Sequence, residues 1–448
     1  MLGLRLSLPE LALGRITPLL ALVPPAALGW TPAFTIFRRG AVYSTDFDVA
    51  ALKPAVTKTY NVDPVSGNDG GTGQGWGTSA LKSLSVALAK SDVDRIVLED
   101  FGVDGTIYLS TRGWNAVSPT RSIVVTTRAG RRVSLVKAAS ATPATWTLVS
   151  GNVYATAVTA GNTGAPMDLS ARDAQGLFTR LVQASGATTA PPAGQYWHDT
   201  AGALGTAGLM YVQAPDSRNL VGSATMIPPC AGNNVSCNIT TDIAPTLWLE
   251  NLDCVGGTPL NAQVLTTLTG RPRVVTRNCT FQGGVAAANG TNILGPWDVY
   301  HQDCVSGGNL KDGFNRHANS FGAARAFLHR CRTGRNGYDT QANNNADTQH
   351  ESCVSIALGC TFTVSQNRCV DHIDQSVGWL LDSDLGPSLA SDATGISVHT
   401  GGTAKIYLDG CRIAHSASLD MAADSGSFIY ASRMSMAGLT TSGSVVLL

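Results

Sequence analysis

WLENLDCVGG (residues 248–257), VVTRNCTFQGG (274–284), VYHQDCVSGG (299–308) and FLHRCRTGRNG (327–337) share one pattern. Each runs from an apolar stretch through a polar residue and a cysteine to a glycine-rich turn. The pattern places Cys254, Cys279, Cys304 and Cys331 at intervals of 25, 25 and 27 residues, and IYLDGCRIAHS (406–416) adds Cys411. Three strands of about five residues with three turns fill such an interval, so one interval is one coil of a right-handed parallel β-helix. The period of about 3.6 residues that a helical repeat would show is absent. Coils stacked about 4.8 Å apart put like over like, and a small buried hydrophobe such as cysteine then forms an internal ladder. The preceding residues Asp253, Asn278, Asp303 and Arg330 suit outward corners, and Phe281 and Ile413 should point inward with the cysteines. Cys353 follows at 22 residues; Cys369, only 16 further on, belongs to another face, and WLLDSDLG (379–386) is a rung without a ladder cysteine. A zinc site would gather close CxxC-type pairs, whereas these cysteines are spread one per coil. Only Cys230 and Cys237, in PPCAGNNVSCNI (228–239), are spaced as a loop-closing disulfide pair.

Outward from this repeat, the chain divides into an arm or attachment segment (1–57), a β-helix entry and cap (58–139), a β-rich insertion (140–240) and the main β-helix (241–448). The entry holds strand-like RIVLED (95–100), TIYLS (106–110) and SIVVTT (122–127). It also holds one short amphipathic helix within Ser79 to Lys90, which would cap the open end of the solenoid. In 140–225, TWTLVSGNVYATAV and a later Gly/Pro-punctuated stretch read as antiparallel hairpins. RITPLLALVPPAALGW (15–30) has signal-peptide character, but Glu10 lies upstream and Pro24-Pro25 interrupt it. The rival reading is an extended arm that docks on another protein, because an apolar, Pro-broken peptide cannot bury itself alone. Charged residues are 14% of the chain against a usual share of about a quarter. Lys plus Arg equals Asp plus Glu at 31 each, so no global field draws the protein to nucleic acid or an anionic membrane. No apolar run reaches the length of a membrane span.

The rung motif, together with the opening YNVDPVSGNDGGTGQGWGT…LKSLSVAL (60–88), makes residues 58 to 448 resemble the pectate-lyase-like superfamily of right-handed parallel β-helix proteins. That superfamily includes polysaccharide lyases, glycoside hydrolases and bacteriophage tailspikes. The resemblance implies a fold and not a reaction. With the N-terminal arm it implies a phage or prophage virion protein, tailspike-like, that binds a bacterial surface polysaccharide, with or without cleaving it. Its partners would be other virion proteins through the arm, and it would be a homotrimer on the virion surface. The alternatives are a secreted polysaccharide lyase or glycoside hydrolase, and a non-catalytic structural virion protein.

Seven of the eight histidines lie from His301 onward. DGFNRH gives Asp312, Asn315, Arg316 and His317; about one coil later, NGYDTQANNNADTQHES gives Tyr338, Asp339, Asn344, Asp347, His350 and Glu351; CVDHIDQS gives Asp371, His372 and Asp374. Glycoside hydrolysis needs two carboxyl groups about 5 to 9.5 Å apart, and Asp312 with Asp339 or Asp347 would supply them. Lyase chemistry needs a base and a cation beside the enolate, for which His317 or His350 with Arg316 would serve. The expected catalytic set is Asp312, His317, Asp339 and His350. The expected substrate-binding set is Asn315, Arg316, Tyr338, Asn344, Asp347, His372 and Asp374. Against this stands the bland reading, in which Asp-Gly and Asn-Gly are turn signals and stacked Asn and His satisfy one another. His301 and His329 suit solvated corners, while Phe314, Tyr338, Trp297 and Trp379 are candidates for sugar stacking. No P-loop, dinucleotide, HExxH or GxSxG motif is present, and no cofactor or metal is expected. The spacing of Asp371, Asp374 and Asp382 matches no calcium loop.

Overall fold

A computed structural model describes residues 19–109, 114, 117–137, 143–159, 164–284, 288–337, 344–391, 394–435 and 440–448. The chain is an all-β, right-handed parallel β-solenoid of about twelve turns. One parallel sheet of 12 strands forms the first face; a 17-stranded array forms the other two, bending within the long strand Leu252–Val264. A typical coil is Asp298–Gln302 on face one, Val305–Gly307 on face two and Phe314–His317 on face three. The short helix is Leu84–Leu88, and it buries Leu84, Ala87 and Leu88 over Tyr60 and Ile96 at the N-terminal end.

The corner between faces one and two explains the repeat. Asn251, Asn278, Asp303, Arg330, Asp382 and Arg433 all have φ between 45° and 62°, with Gly359 at 63° and Gly410 at 67° in the same role. Asn, Asp and Gly tolerate this left-handed turn best. The residue after each corner enters the core, giving the ladder Leu252, Cys279, Cys304, Cys331, Cys360, Ser383, Cys411 and Met434. The ladder expected from spacing therefore holds with two exchanges. Cys254 sits three residues past its corner Asn251, paired with Phe281, and the rung after Cys331 uses Cys360 rather than Cys353, which lies just before face one. Asp253 is accordingly not a corner. It is buried, salt-bridged to Arg132 and Arg172, and so ties the insertion to face two. Cys230 and Cys237 are both free, so the expected bridge is absent.

The insertion consists of a five-stranded sheet and a three-stranded one, antiparallel apart from the pair Val182–Gln183 and Gln195–Asp199. It ends before Asn233–Ile239, which already pairs in parallel with Leu252–Val264 on face three.

The described part of the arm, residues 19–57, is not extended away from the body. Leu20–Leu22, Ile36–Arg39 and Val42–Thr45 form an antiparallel sheet that lies on face one. There the outward positions are apolar and in register: Val124, Trp248, Val275, Tyr300, Phe327, Ile356, Trp379, Tyr407 and Tyr430. Phe34 packs on Phe327 with centroids 4.3 Å apart, and Phe47 stacks on Tyr300 at 5.6 Å. Val49 covers Val124 and Trp248. At the far end the Tyr43 hydroxyl donates to Asp409 at 2.7 Å. An apolar peptide that cannot bury itself has thus found its partner surface within its own chain.

Candidate functional site

Face three carries the polar cluster, and strand alternation sorts its residues into two sides. In Phe314–His317 the buried Phe314 points inward, so Arg316 points inward as well, while Asn315 and His317 point outward. Register extends both sides along the stack. Phe314, Asp347, Val370 and Val398 form one inward column, and Arg316, Gln349 and His372 form another. Asn261, Asn292, Asn315, Thr348, Asp371 and His399 form the outward column.

Three of the expected site residues therefore lie inside the solenoid. The Arg316 guanidinium donates to both carboxylate oxygens of Asp347 at 2.7 Å, and His372 Nε2 lies 3.1 Å from the same carboxylate. Arg316 is 1% exposed and His372 fully buried. Burial would raise the Asp347 carboxyl, but the Arg316 charge and the His372 hydrogen bond outweigh it and hold Asp347 below the usual carboxylate range. Gly378 leaves room for the imidazole, since a Cβ there would stand 2.3 Å from His372 Cε1. This triad cannot reach a substrate, which removes Arg316 as the cation of a lyase and Asp347 as partner of Asp312.

On the outer side, Asp312 sits two residues before the strand. One of its carboxylate oxygens accepts the Asn345 backbone N–H at 2.9 Å and the other accepts Asn315 Nδ2 at 2.6 Å. Burial pushes its carboxyl up to about 6, against the pull of these donors and with help from the Asp371 charge. Asp371 accepts Asn345 Nδ2 at 3.2 Å, Arg368 Nη1 at 2.9 and 3.0 Å, and pairs with His399 Nδ1 at 2.7 Å. Here burial would raise the carboxyl too, but the His399 hydrogen bond and the Arg368 charge prevail and hold it below the usual range. Asn345 is one coil above Asp312 and Arg368 one coil above that, so Asp312 and Asp371 belong to coils two apart, with Asn345 between them hydrogen-bonded to both carboxylates. The half-exposed rim beside them carries His317, His350, Glu351 and Arg368.

His317 and His350 stack on adjacent coils with centroids 4.0 Å apart and an angle of 11° between the rings. Burial and the neighbouring His317 push the His350 imidazole down to about 4. Asp374 turns outward at a corner with φ 63° and accepts the Glu351 N–H at 3.0 Å. Asn344 is buried. Tyr338 and Asp339 lie outside the described residues. The coil following Asp312 is 33 residues long, so its stacked neighbour is Asn345. Among the described residues, Asp371, Asp374 and Asp382 do not gather into one site.

His301 is no solvated corner: it is buried in the core, 2.6 Å from Thr276 Oγ1 and stacked on Phe314. Phe314 and Trp297 are fully buried, and Trp379 lies under the arm, so none of the three offers a sugar platform. The sequence named Asp371 in the cluster without giving it a role, and left Arg368, Thr348 and His399 out. The signal for Asp371 was its position between two inward residues, Val370 and His372.

Neither protein-family comparison nor comparison with curated proteins finds a match for this sequence. Among solved structures, one described as a glycoside hydrolase superposes with a TM-score of 0.52 at 10% identity, covering 87% of this chain and 96% of the other. A GH136 lacto-N-biosidase from Eubacterium ramulus gives 0.42 at 9% identity, covering 87% and 67%. A complex of XylC with xylose gives 0.42 at 8%, covering 87% and 70%. At such identities the first likeness speaks for the solenoid fold alone.

Proposed function

We propose that this chain binds a bacterial surface polysaccharide along face three and hydrolyses it, with Asp312 as proton donor and Asp371 as base. One observation carries the reading: two outward carboxylates on one face, two coils apart, are driven in opposite directions by their surroundings. A carboxyl raised to about 6 keeps its proton in mildly acidic solution, while its partner stays ionised. That is the division of labour glycoside hydrolysis requires. The likeness to a solved glycoside hydrolase agrees with this, and the inward-facing Arg316 counts against a lyase.

The finer reading is a phage or prophage tailspike-like protein, trimeric and virion-borne. It is supported by the resemblance of the entry segment and rungs to that superfamily. Because residues 19–57 lie on their own solenoid, attachment through them would have to compete with face one. Particle proteomics and light scattering would test location and trimer.

The activity test incubates the protein with capsular polysaccharide and lipopolysaccharide and follows oligosaccharide release. Turnover is expected to fall as pH rises through about 6, and Asp312→Asn and Asp371→Asn should each lower it by roughly 10²–10⁴ while glycan binding persists. No release from any glycan, or variants with unchanged turnover, would defeat the enzymatic reading.

A further inference from the structure

We infer that His317, His350 and Glu351 form a binding site for one divalent transition-metal ion of the zinc class. The fold itself brings the three together. The His350 backbone N–H donates to the Arg316 carbonyl at 3.0 Å, which sets His350 directly above His317 on the next coil. Glu351 follows in a left-handed corner, φ 49°, that folds its side chain back over the lower coil. Glu351 Oε1 lies 3.3 Å from His317 Nδ1, and Oε2 accepts the Ala318 N–H at 2.8 Å. One donor atom from each of the three residues lies within 4.8 Å of the others.

The donor set decides which ion fits. Calcium and magnesium take oxygen ligands almost entirely, whereas two imidazoles and a carboxylate are a set that zinc uses, with the fourth position left open. Metal–nitrogen distances of about 2.0–2.1 Å require donors about 3.3 Å apart, reached here by side-chain rotation on a solvated rim. His317 and Glu351 side chains are 32% and 43% exposed, so an ion has a path in and water or a saccharide oxygen can complete its shell. Outer support exists as well: Asp374 accepts the Glu351 N–H and fixes the corner. Among the described residues no hydrogen bond occupies the His350 ring, so metal binding there has only the stack on His317 to displace. The site stands on the same outward face as Asp312 and Asp371, but it requires no activity of them.

Chelator-treated, dialysed full-length protein is titrated with Zn²⁺ by calorimetry and with Co²⁺ by visible absorption. One ion per chain is expected, with a Co²⁺ spectrum of nitrogen and oxygen ligation. His350→Gln and Glu351→Gln should each weaken binding by roughly a hundredfold, while His415→Gln, on a distant exposed histidine, leaves it unchanged. Circular dichroism checks that the variants fold, and the gentler Glu351→Gln keeps the test open should His350→Gln not. Binding that survives both variants, a thiolate-type Co²⁺ band from the buried cysteines, or no binding at millimolar metal would each overturn the inference.

Discussion

Replacing Asp312 by Asn should stabilise the protein at neutral pH even as it removes the proposed proton donor. The folded carboxyl is raised from 3.8 to about 6 because it is buried, so the native chain holds this proton more tightly than the unfolded chain does. The neutral form is thus the one that stabilises: its contribution is complete below about pH 4 and lost as pH rises through about 6. The difference of about two pKa units corresponds to about 3 kcal/mol above that range. Asn is neutral throughout and escapes the cost. It also finds a partner: Asn315 Oδ1 is buried with no hydrogen bond among the described residues, so turning that amide lets Asn donate where Asp312 accepted. Urea unfolding of both proteins at pH 4 and pH 7.5 measures the effect. The two should be nearly equal at pH 4, and the variant ahead by about 2–3 kcal/mol at pH 7.5, or about 3 °C in Tm if the 448 residues melt as one unit. A variant that is weaker at pH 7.5, or an advantage independent of pH, would refute the electrostatic account of this residue.

Arg316→Met should cost about 3–5 kcal/mol by leaving the Asp347 carboxylate buried beside His372 without its cation, and Arg316→Met with Asp347→Leu should recover most of that loss in unfolding experiments. Tyr43→Phe removes the hydroxyl that holds the arm to Asp409, at a cost of about 1–2 kcal/mol, and limited proteolysis should then cut within 19–57 sooner than in the parent. All ten cysteines are buried and free, with Cys237 and Cys411 pushed up to about 12 by burial, so a thiol reagent at pH 8 should label few or none before denaturation and all ten after it.

The coil was legible because Asn278-Cys279 and Asp303-Cys304 mark a left-handed corner followed by an inward residue, a local rule the sequence carries openly. Its membership was less so, since Asp253-Cys254 imitates the motif two residues late, and in Gly359-Cys360 the glycine, which makes the corner as well as Asn does, hides the match. Spacing failed where a turn lengthened: the coil from Asp312 to Asn345 broke the 25-residue ruler that had paired Asp312 with Asp339. Sidedness was legible and went unused, for Phe314 being inward already placed Arg316 inward. That the arm lies on face one was not readable, because its apolar residues fix the need for a cover but not which surface supplies it.

Tyr43 meets Asp409 and Arg433 across 366 and 390 residues of chain. A ribosome therefore releases the arm long before the coils that anchor it exist. Solenoid coils are able to add one upon another as they emerge, but the row from Trp248 to Trp379 stays bare until they are in place and the arm can close over them. The segment made first becomes native last. Chains stopped short of Arg433 would retain most of their coils yet lack the anchor of their cover, leaving a long apolar surface open to other chains.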